Sequence, residues 1–113
     1  FAWVARLRQD HDAANVRGIG INEQTAIAID LETGIGKILG PLSYGSAVFI
    51  VDPGAQNMPE VCEPNKPLTF TNVAVQKLEG AHYQDTFNFV TWSGGESFNR
   101  YPVSAVNGRL DRV

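Results

Sequence analysis

One acidic residue, Glu23, stands where its charge could do chemistry. In the stretch RGIGINEQTAIAID, residues 17 to 30, the odd positions are Ile19, Ile21, Glu23, Thr25, Ile27 and Ile29. If the stretch is one β-strand, its side chains alternate between two faces, and the carboxylate shares a face with the isoleucines. An ionised carboxylate in apolar surroundings is costly unless a hydrogen bond or an opposite charge compensates it. A buried Glu23 therefore requires a polar partner.

A second interpretation puts the same glutamate in a turn. Gly18, Gly20 and Asn22 are residue types that bend a chain, so they could carry Glu23 out into solvent. The residues alone favour neither interpretation.

Other catalytic patterns are missing from the sequence. The serine-containing stretches PLSYG, YGSAV and TWSGG do not match the Gly-x-Ser-x-Gly of a nucleophile elbow. GIGINE and GIGKILG lack the glycine spacing of a dinucleotide or phosphate loop. His11 and His82 are far apart without ligands at metal spacing, and Cys62 has no flanking basic residue to activate it. We therefore expect no cofactor, no metal and an inert thiol.

An aromatic group near the C-terminal end has both a structural and a binding interpretation. Phe87, Phe89 and Trp92 are interleaved with polar residues, which is typical of the core and cover of a sheet. The same side chains could form a stacking platform for carbohydrate or bases, but the structural interpretation is favoured.

Composition excludes several classes of partner. The 113 residues are 43% hydrophobic, which suits one small domain with its own core. The net charge is −3 and the basic residues are dispersed, so neither nucleic acid nor an anionic membrane is an expected partner. No signal peptide or membrane-spanning run is recognisable. A single cysteine leaves the compartment undetermined.

Hydrophobic periodicity predicts one helix followed mainly by strands. FAWVARLRQDHDAANV has a helical face of Phe1, Val4 and Leu7 with Trp3, and it begins without an N-cap residue, so we expect it to be the remainder of a longer helix. The uninterrupted apolar run GSAVFIVD predicts a strand covered on both faces. Further strands are predicted in TAIAID, KILG, LTFTNVAVQKLE, DTFNFVTW and YPVSAVNGRLDRV, the last with a hairpin turn at Asn107 and Gly108.

The segment between these parts carries no periodicity. Residues 53–67, PGAQNMPEVCEPNKP, contain four prolines, and they predict a long irregular arm lying over another part of the molecule. The arm divides the chain into residues 1–52, 53–67 and 68–113.

The first part resembles a known enzyme family. GIGINEQTAIAID, followed by GSAVFIVDP, is similar to the segment after the catalytic histidine in cyanophycinase-like serine peptidases, which are related to the aspartyl dipeptidases. FAWVARLRQD resembles the preceding helix of that family. The most specific element is Gly-Ile-Gly-Ile-(Asp/Asn)-Glu-x-Thr-Ala, in which Asn22 stands where the family usually has Asp. Residues 68–113 resemble, more weakly, a C-terminal β extension of longer and often exported members.

The resemblance implies an α/β parent enzyme with a flavodoxin-like or class I amidotransferase-like fold. Its nucleophilic serine and its histidine would precede Phe1. The resemblance favours the strand interpretation, in which Glu23, held among the isoleucines, would be the triad acid that orients the histidine. Asn22 and Thr25 would lie at the substrate site, although a structural role for the β-branched Thr25 is the favoured interpretation. Secretion or export to the periplasm follows weakly from the exported relatives.

The function that follows is part of a serine exopeptidase or dipeptidase, a hydrolase inactive as this chain alone. Its expected partners are the remainder of the peptidase and a peptide substrate, and a homodimer stays open. Two alternatives remain: a non-catalytic β-rich binding or assembly module, and a family member that has lost its activity.

Overall fold

The computed structural model describes residues 1–11, 15–41, 45–80, 85–95 and 99–112. Within these residues the chain has one helix followed by mostly antiparallel strands in two sheets, which confirms the fold expected of the chain itself. The chain divides into two compact units. The first comprises Phe1–Gly18, Val51–Val75 and Tyr101–Val113, and the second comprises Ile19–Ile50 and Gln76–Arg100.

The elements follow the order α1 and then β1 to β9. Their bounds are α1 Ala2–His11, β1 Gly18–Ile21, β2 Ala26–Ile29, β3 Ile35–Leu39, β4 Ala47–Asp52, β5 Phe70–Glu79, β6 Thr86–Asn88, β7 Ser93–Gly94, β8 Arg100–Val106 and β9 Arg109–Arg112. One sheet has the order β1-β4-β5-β8-β9, and the other has the order β2-β3-β6-β7.

Helix α1 buries only part of the face that the sequence predicts. Trp3 is 81% exposed and Leu7 is 42% exposed, whereas Val4 and Ala5 are buried together with Arg8, which is only 1% exposed. The apolar count misled the prediction because Arg8, one turn after Val4, takes part in hydrogen bonds that offset the cost of its burial.

Strand β4 is buried along most of its length, as its apolar run predicts. Ala47, Val48, Ile50 and Val51 are buried, and Phe49 is half-buried. The strand lies between β1 and β5 in the five-stranded sheet, so both of its edges are hydrogen-bonded. Burial of consecutive side chains, which point to opposite faces of the strand, explains the absence of polar alternation in its sequence.

Strand β5 contains an irregularity that its sequence does not announce. Phe70 and Val73 are both buried although they are three residues apart, and Asn72 between them has a left-handed φ of 55°. The Asn72 amide donates to the Ser104 hydroxyl at 3.0 Å. This geometry is that of a β-bulge, in which one extra residue shifts the alternation of the strand.

The second unit has a core in which the predicted aromatic strand residues take part. Phe87 is 1% exposed, and its ring meets those of Phe89 and Trp92 edge-on at centroid distances of 5.0 and 6.1 Å. The buried members of this core are Ile38, Val48, Ile50, Leu78 and Phe87. The three rings therefore pack against one another, which agrees with the structural interpretation of these aromatics.

The predicted hairpin turn joins β8 and β9. Val106 pairs with Arg109, and the two residues between them, Asn107 and Gly108, have φ values of 50° and 79°. Two consecutive left-handed residues define a type I′ turn, whose twist matches that of antiparallel strands.

We expect Gly108→Ala to lower the free energy of unfolding by about 1 kcal/mol, because alanine is strained at a left-handed φ. The nearest atom to the added methyl group would be at an ordinary 3.5 Å, so the loss comes from the backbone alone. Gly20→Ala is the control, since its methyl group would also meet nothing closer than 3.7 Å and its φ is not left-handed. Equal urea midpoints for the two variants would contradict the turn assignment.

The arm, residues 53–67, contains no helix and no strand. Its regular pairing is limited to an isolated antiparallel bridge between Val61 and Thr69. The amides of Glu60 and Val61 both donate to the Thr69 carbonyl at 3.0 Å. The arm is thus irregular, as its prolines predict, and it is attached to the start of β5.

Candidate functional site

Glu23 lies in the turn that joins β1 and β2. The Thr25 amide donates to the Asn22 carbonyl at 3.2 Å, which closes a four-residue turn with Glu23 and Gln24 at its centre. Gln24 has a φ of 55°, whereas Glu23 has no positive φ. A left-handed residue at only the third position is characteristic of a type II turn.

The strand interpretation of residues 17–30 was wrong. Glu23 is exposed, and so are Ile19 and Ile21, which are 45% and 52% exposed. The turn divides the stretch into two short strands that belong to different sheets, and the alternation of one strand does not continue into the other. The glutamate therefore has no isoleucine-lined environment within the described residues.

The backbone of this turn is held from both sides. The Asn22 amide donates to the Ala47 carbonyl at 3.1 Å, and the Thr25 hydroxyl donates to the Glu23 carbonyl at 3.3 Å. Gly40 packs so closely that a methyl group on it would lie 3.1 Å from the Gln24 carbonyl oxygen. The position of Glu23 is thus fixed by main-chain contacts, while its side chain is not engaged.

The two predicted substrate-site residues flank Glu23 in the same turn. Asn22 is exposed and contributes its amide and carbonyl to the turn. Thr25 is half-buried, and its hydroxyl bonds the Glu23 main chain rather than the carboxylate. The structure therefore brings Asn22, Glu23 and Thr25 together and gives Thr25 a structural hydrogen bond. Their contact with a substrate stays a prediction.

The Glu23 carboxylate has no hydrogen-bond or ion-pair partner among the described residues. An ionised carboxylate is an acceptor only, so it can receive an N–H from a histidine, an arginine or a peptide. His11 is exposed at the end of α1, and His82 lies outside the described residues. The chemistry open to Glu23 is acceptance of a hydrogen bond from a group that the described part of the chain does not supply.

A second acid, Glu32, lies in the β2–β3 turn and is exposed. In that turn the Asp30 carboxylate accepts the amides of Thr33 at 3.1 Å and Glu32 at 2.8 Å. These amides, Thr33 first, lower the pKa of Asp30 below its ordinary value because they stabilise the ionised form. An open depression of about 470 Å³ beside this turn is lined by Ala28, Ile29, Asp30, Thr33, Ile35 and Lys37, and so does not include Glu23.

Neither Cys62 nor a carboxylate cluster forms a metal site in the described residues. Cys62 is buried at 8% exposure as a free thiol. The residues described contain no group of three or more His, Cys, Asp or Glu that could hold a metal ion.

Sequence reasoning missed a polar network in the first unit. The Arg8 guanidinium donates to the Ala55 carbonyl at 2.8 Å and to the Asn57 carbonyl at 2.8 and 3.1 Å. The Asn57 side-chain amide donates to the Thr71 carbonyl at 2.9 Å, and Glu60 accepts from Thr71. The position of Arg8, four residues after the apolar Val4 on a short helix, could have indicated that its side chain is buried. Its partners are main-chain carbonyls, which every residue has, so the sequence could not identify them.

Comparison of the chain with models of protein families, with curated proteins and with solved structures found no match. Among the described residues no helix is long and apolar enough to cross a membrane.

Proposed function

We propose that this chain is the C-terminal part of a cyanophycinase-like serine exopeptidase or dipeptidase and supplies its triad glutamate, Glu23. The observation that carries the proposal is that the Glu23 carboxylate is exposed and has no partner among the described residues. Glu23 is exposed in a turn whose backbone is fixed by Ala47, Thr25 and the close approach of Gly40. A carboxylate with a fixed origin and an unengaged acceptor is suited to receive a hydrogen bond from another segment.

The role of Glu23 in such an enzyme is orientation and electrostatics. Its carboxylate accepts the N–H of the catalytic imidazole and thereby selects the tautomer whose other nitrogen faces the serine hydroxyl. When the serine attacks the scissile carbonyl, the imidazole takes the serine proton, and Glu23 stabilises the imidazolium that forms. The serine and the histidine belong to the part of the enzyme that precedes Phe1 in this proposal.

The exposed apolar residues favour a second candidate, an assembly module without catalysis. Trp3 on α1 and Ile19 and Ile21 on β1 present large apolar side chains to solvent. β1 is also the first strand of its sheet, so one of its edges has no strand of the described residues beside it. GSAVFIVD and the aromatic strands do not offer such a surface, because β4 and Phe87 are buried.

The decisive experiment uses the whole protein that contains residues 1–113. We expect a fluorophosphonate probe to label one serine before Phe1, and we expect hydrolysis of dipeptides with an aspartyl or β-aspartyl residue. Residues 1–113 expressed alone should neither react with the probe nor hydrolyse these peptides. A whole protein that is folded but is neither labelled nor active would refute the peptidase and favour the module or an inactive family member.

A further inference from the structure

We propose that the arm, residues 53–67, opens locally at Glu60 when that carboxylate is protonated, while its Arg8-bound part stays attached, and that this opening exposes Cys62. In this local opening β8 and β9 and the second unit stay folded. The proposal concerns this chain alone and does not depend on a peptidase function.

The N-terminal half of the arm is held by a contact that does not depend on acid. Arg8 is 1% exposed, and its guanidinium binds the carbonyls of Ala55 and Asn57. An arginine stays charged at every pH at which proteins fold, so this anchor remains when carboxylates are protonated.

The middle of the arm is held at the β5 bulge by Asn57 and Glu60. The Asn57 amide donates to the carbonyl of Thr71 at 2.9 Å. One Glu60 carboxylate oxygen accepts the Thr71 amide at 3.2 Å, and the other accepts the Thr71 hydroxyl. The amide and the hydroxyl of Thr71 thus both donate to one carboxylate. Protonation removes the charge of that carboxylate and turns one of its oxygens into a donor, so the two hydrogen bonds are weakened.

Cys62 lies two residues beyond Glu60 and reports on this attachment. The thiol is buried, and the Arg6 guanidinium donates to the Cys62 carbonyl at 3.3 Å. A small cavity of about 140 Å³ beside it is lined by Ala2, Arg6, Cys62, Glu63, Lys66 and Leu68. Because Cys62 is the single cysteine of the chain, its reaction with a thiol reagent measures how often the arm opens.

Asp52, which directly precedes the arm, is a second carboxylate that contacts it: its Oδ1 accepts the Gly54 amide at 2.9 Å, and Arg17 donates to its Oδ2 at 3.0 Å. The other charged groups on α1, the arm and β9 are Arg6, Arg8 and Asp10, Glu63 and Lys66, and Arg109, Asp111 and Arg112. Arg6 pairs with Asp10, Lys66 with Glu63, and Arg109 with Asp111. Residues 70–75, the first part of β5, include no charged side chain.

The direction of the pH effect follows from Glu60. The hydrogen bond from the Thr71 hydroxyl lowers the pKa of Glu60 from its ordinary 4.5, against a smaller opposing effect of burial. A pKa lowered in the attached state means that ionisation favours attachment. The stabilisation is therefore complete above pH 4.5 and is lost as the pH falls through the lowered pKa.

The test measures the reaction of Cys62 with 4,4′-dithiodipyridine between pH 3 and pH 7. The Cys62 thiolate attacks one sulfur of the reagent, a mixed disulfide forms, and thiopyridone leaves as the coloured product. Each rate is divided by that of a free cysteine peptide at the same pH. We expect protection of Cys62 to fall roughly tenfold on acidification, since a charge-assisted hydrogen bond is lost.

Three variants give this test its controls. Glu60→Gln and Thr71→Val should show the low protection at every pH, whereas Glu63→Gln, at a neighbouring acid of the same arm, should keep the wild-type profile. Far-ultraviolet circular dichroism, recorded on the same samples, should not change across the range. Protection that is independent of pH, a Glu63→Gln profile like that of Glu60→Gln, or loss of dichroism together with protection would each overturn the proposal.

Discussion

Replacement of Glu23 by glutamine is expected to lower kcat of the proposed peptidase at least about 100-fold, with little change in folding. Glutamine keeps the size of the side chain but removes the charge that stabilises the imidazolium. Its amide group can also donate, which favours the wrong imidazole tautomer. Folding should not change, because Glu23 is exposed and its carboxylate has no partner among the described residues.

Glu32→Gln is the matched control for this measurement. Both acids are exposed and both lie in turns between two strands, but Glu32 is outside the segment that resembles the catalytic motif. We expect Glu32→Gln to keep near wild-type kcat. If Glu23→Gln and Glu32→Gln had the same turnover, the Glu23 carboxylate would have no part in the reaction. The pH profile adds a second readout, because a lost imidazolium partner should shift the acid limb of kcat.

The second large effect is expected at Arg8. Arg8→Met should lower the free energy of unfolding of the first unit by about 3 kcal/mol, because it removes three hydrogen bonds made by a buried guanidinium. Methionine keeps most of the length and the apolar stem of the side chain, so the loss reports on the three hydrogen bonds to Ala55 and Asn57. Urea unfolding followed by far-ultraviolet circular dichroism measures this loss.

Arg6→Met on the same helix provides the comparison. The Arg6 side chain is 43% exposed, and its contacts are an ion pair with Asp10 and one carbonyl bond to Cys62. Such exposed pairs contribute little, so we expect a loss below about 1 kcal/mol. Equal losses for the two variants would mean that the arm does not depend on Arg8.

Several features of the fold follow directly from local sequence. The apolar run of β4 requires coverage on both faces, and its place between β1 and β5 supplies paired edges. Asn107 and Gly108 tolerate the left-handed conformation that a type I′ turn requires, so the β8–β9 hairpin could be placed from two residues. In both cases a few neighbouring residues suffice for the prediction, because the burial of β4 and the left-handed conformation of the turn each depend on the residue types within one short segment.

The candidate site was only partly accessible in this way. Sequence left Glu23 between a strand and a turn, because glycines and alternating isoleucines are compatible with both. The resemblance to a peptidase family favoured the isoleucine-lined strand, and this environment was wrong because Glu23 is exposed in the turn between β1 and β2. Its exposure depends on the hydrogen bond from Asn22 to Ala47 and on the packing of Gly40, both of which join residues distant in sequence.

The sequence by itself determined one helix followed mainly by strands, the irregular arm and the absence of common nucleophile and phosphate motifs. Tertiary structure alone decided that Arg8 is buried while Trp3 is exposed, and that Asn72 interrupts the alternation of β5. The reason is the same for both residues. The conformation of each is selected by hydrogen bonds to partners 32 to 49 residues away, and a pattern of neighbouring side chains contains no information about such partners.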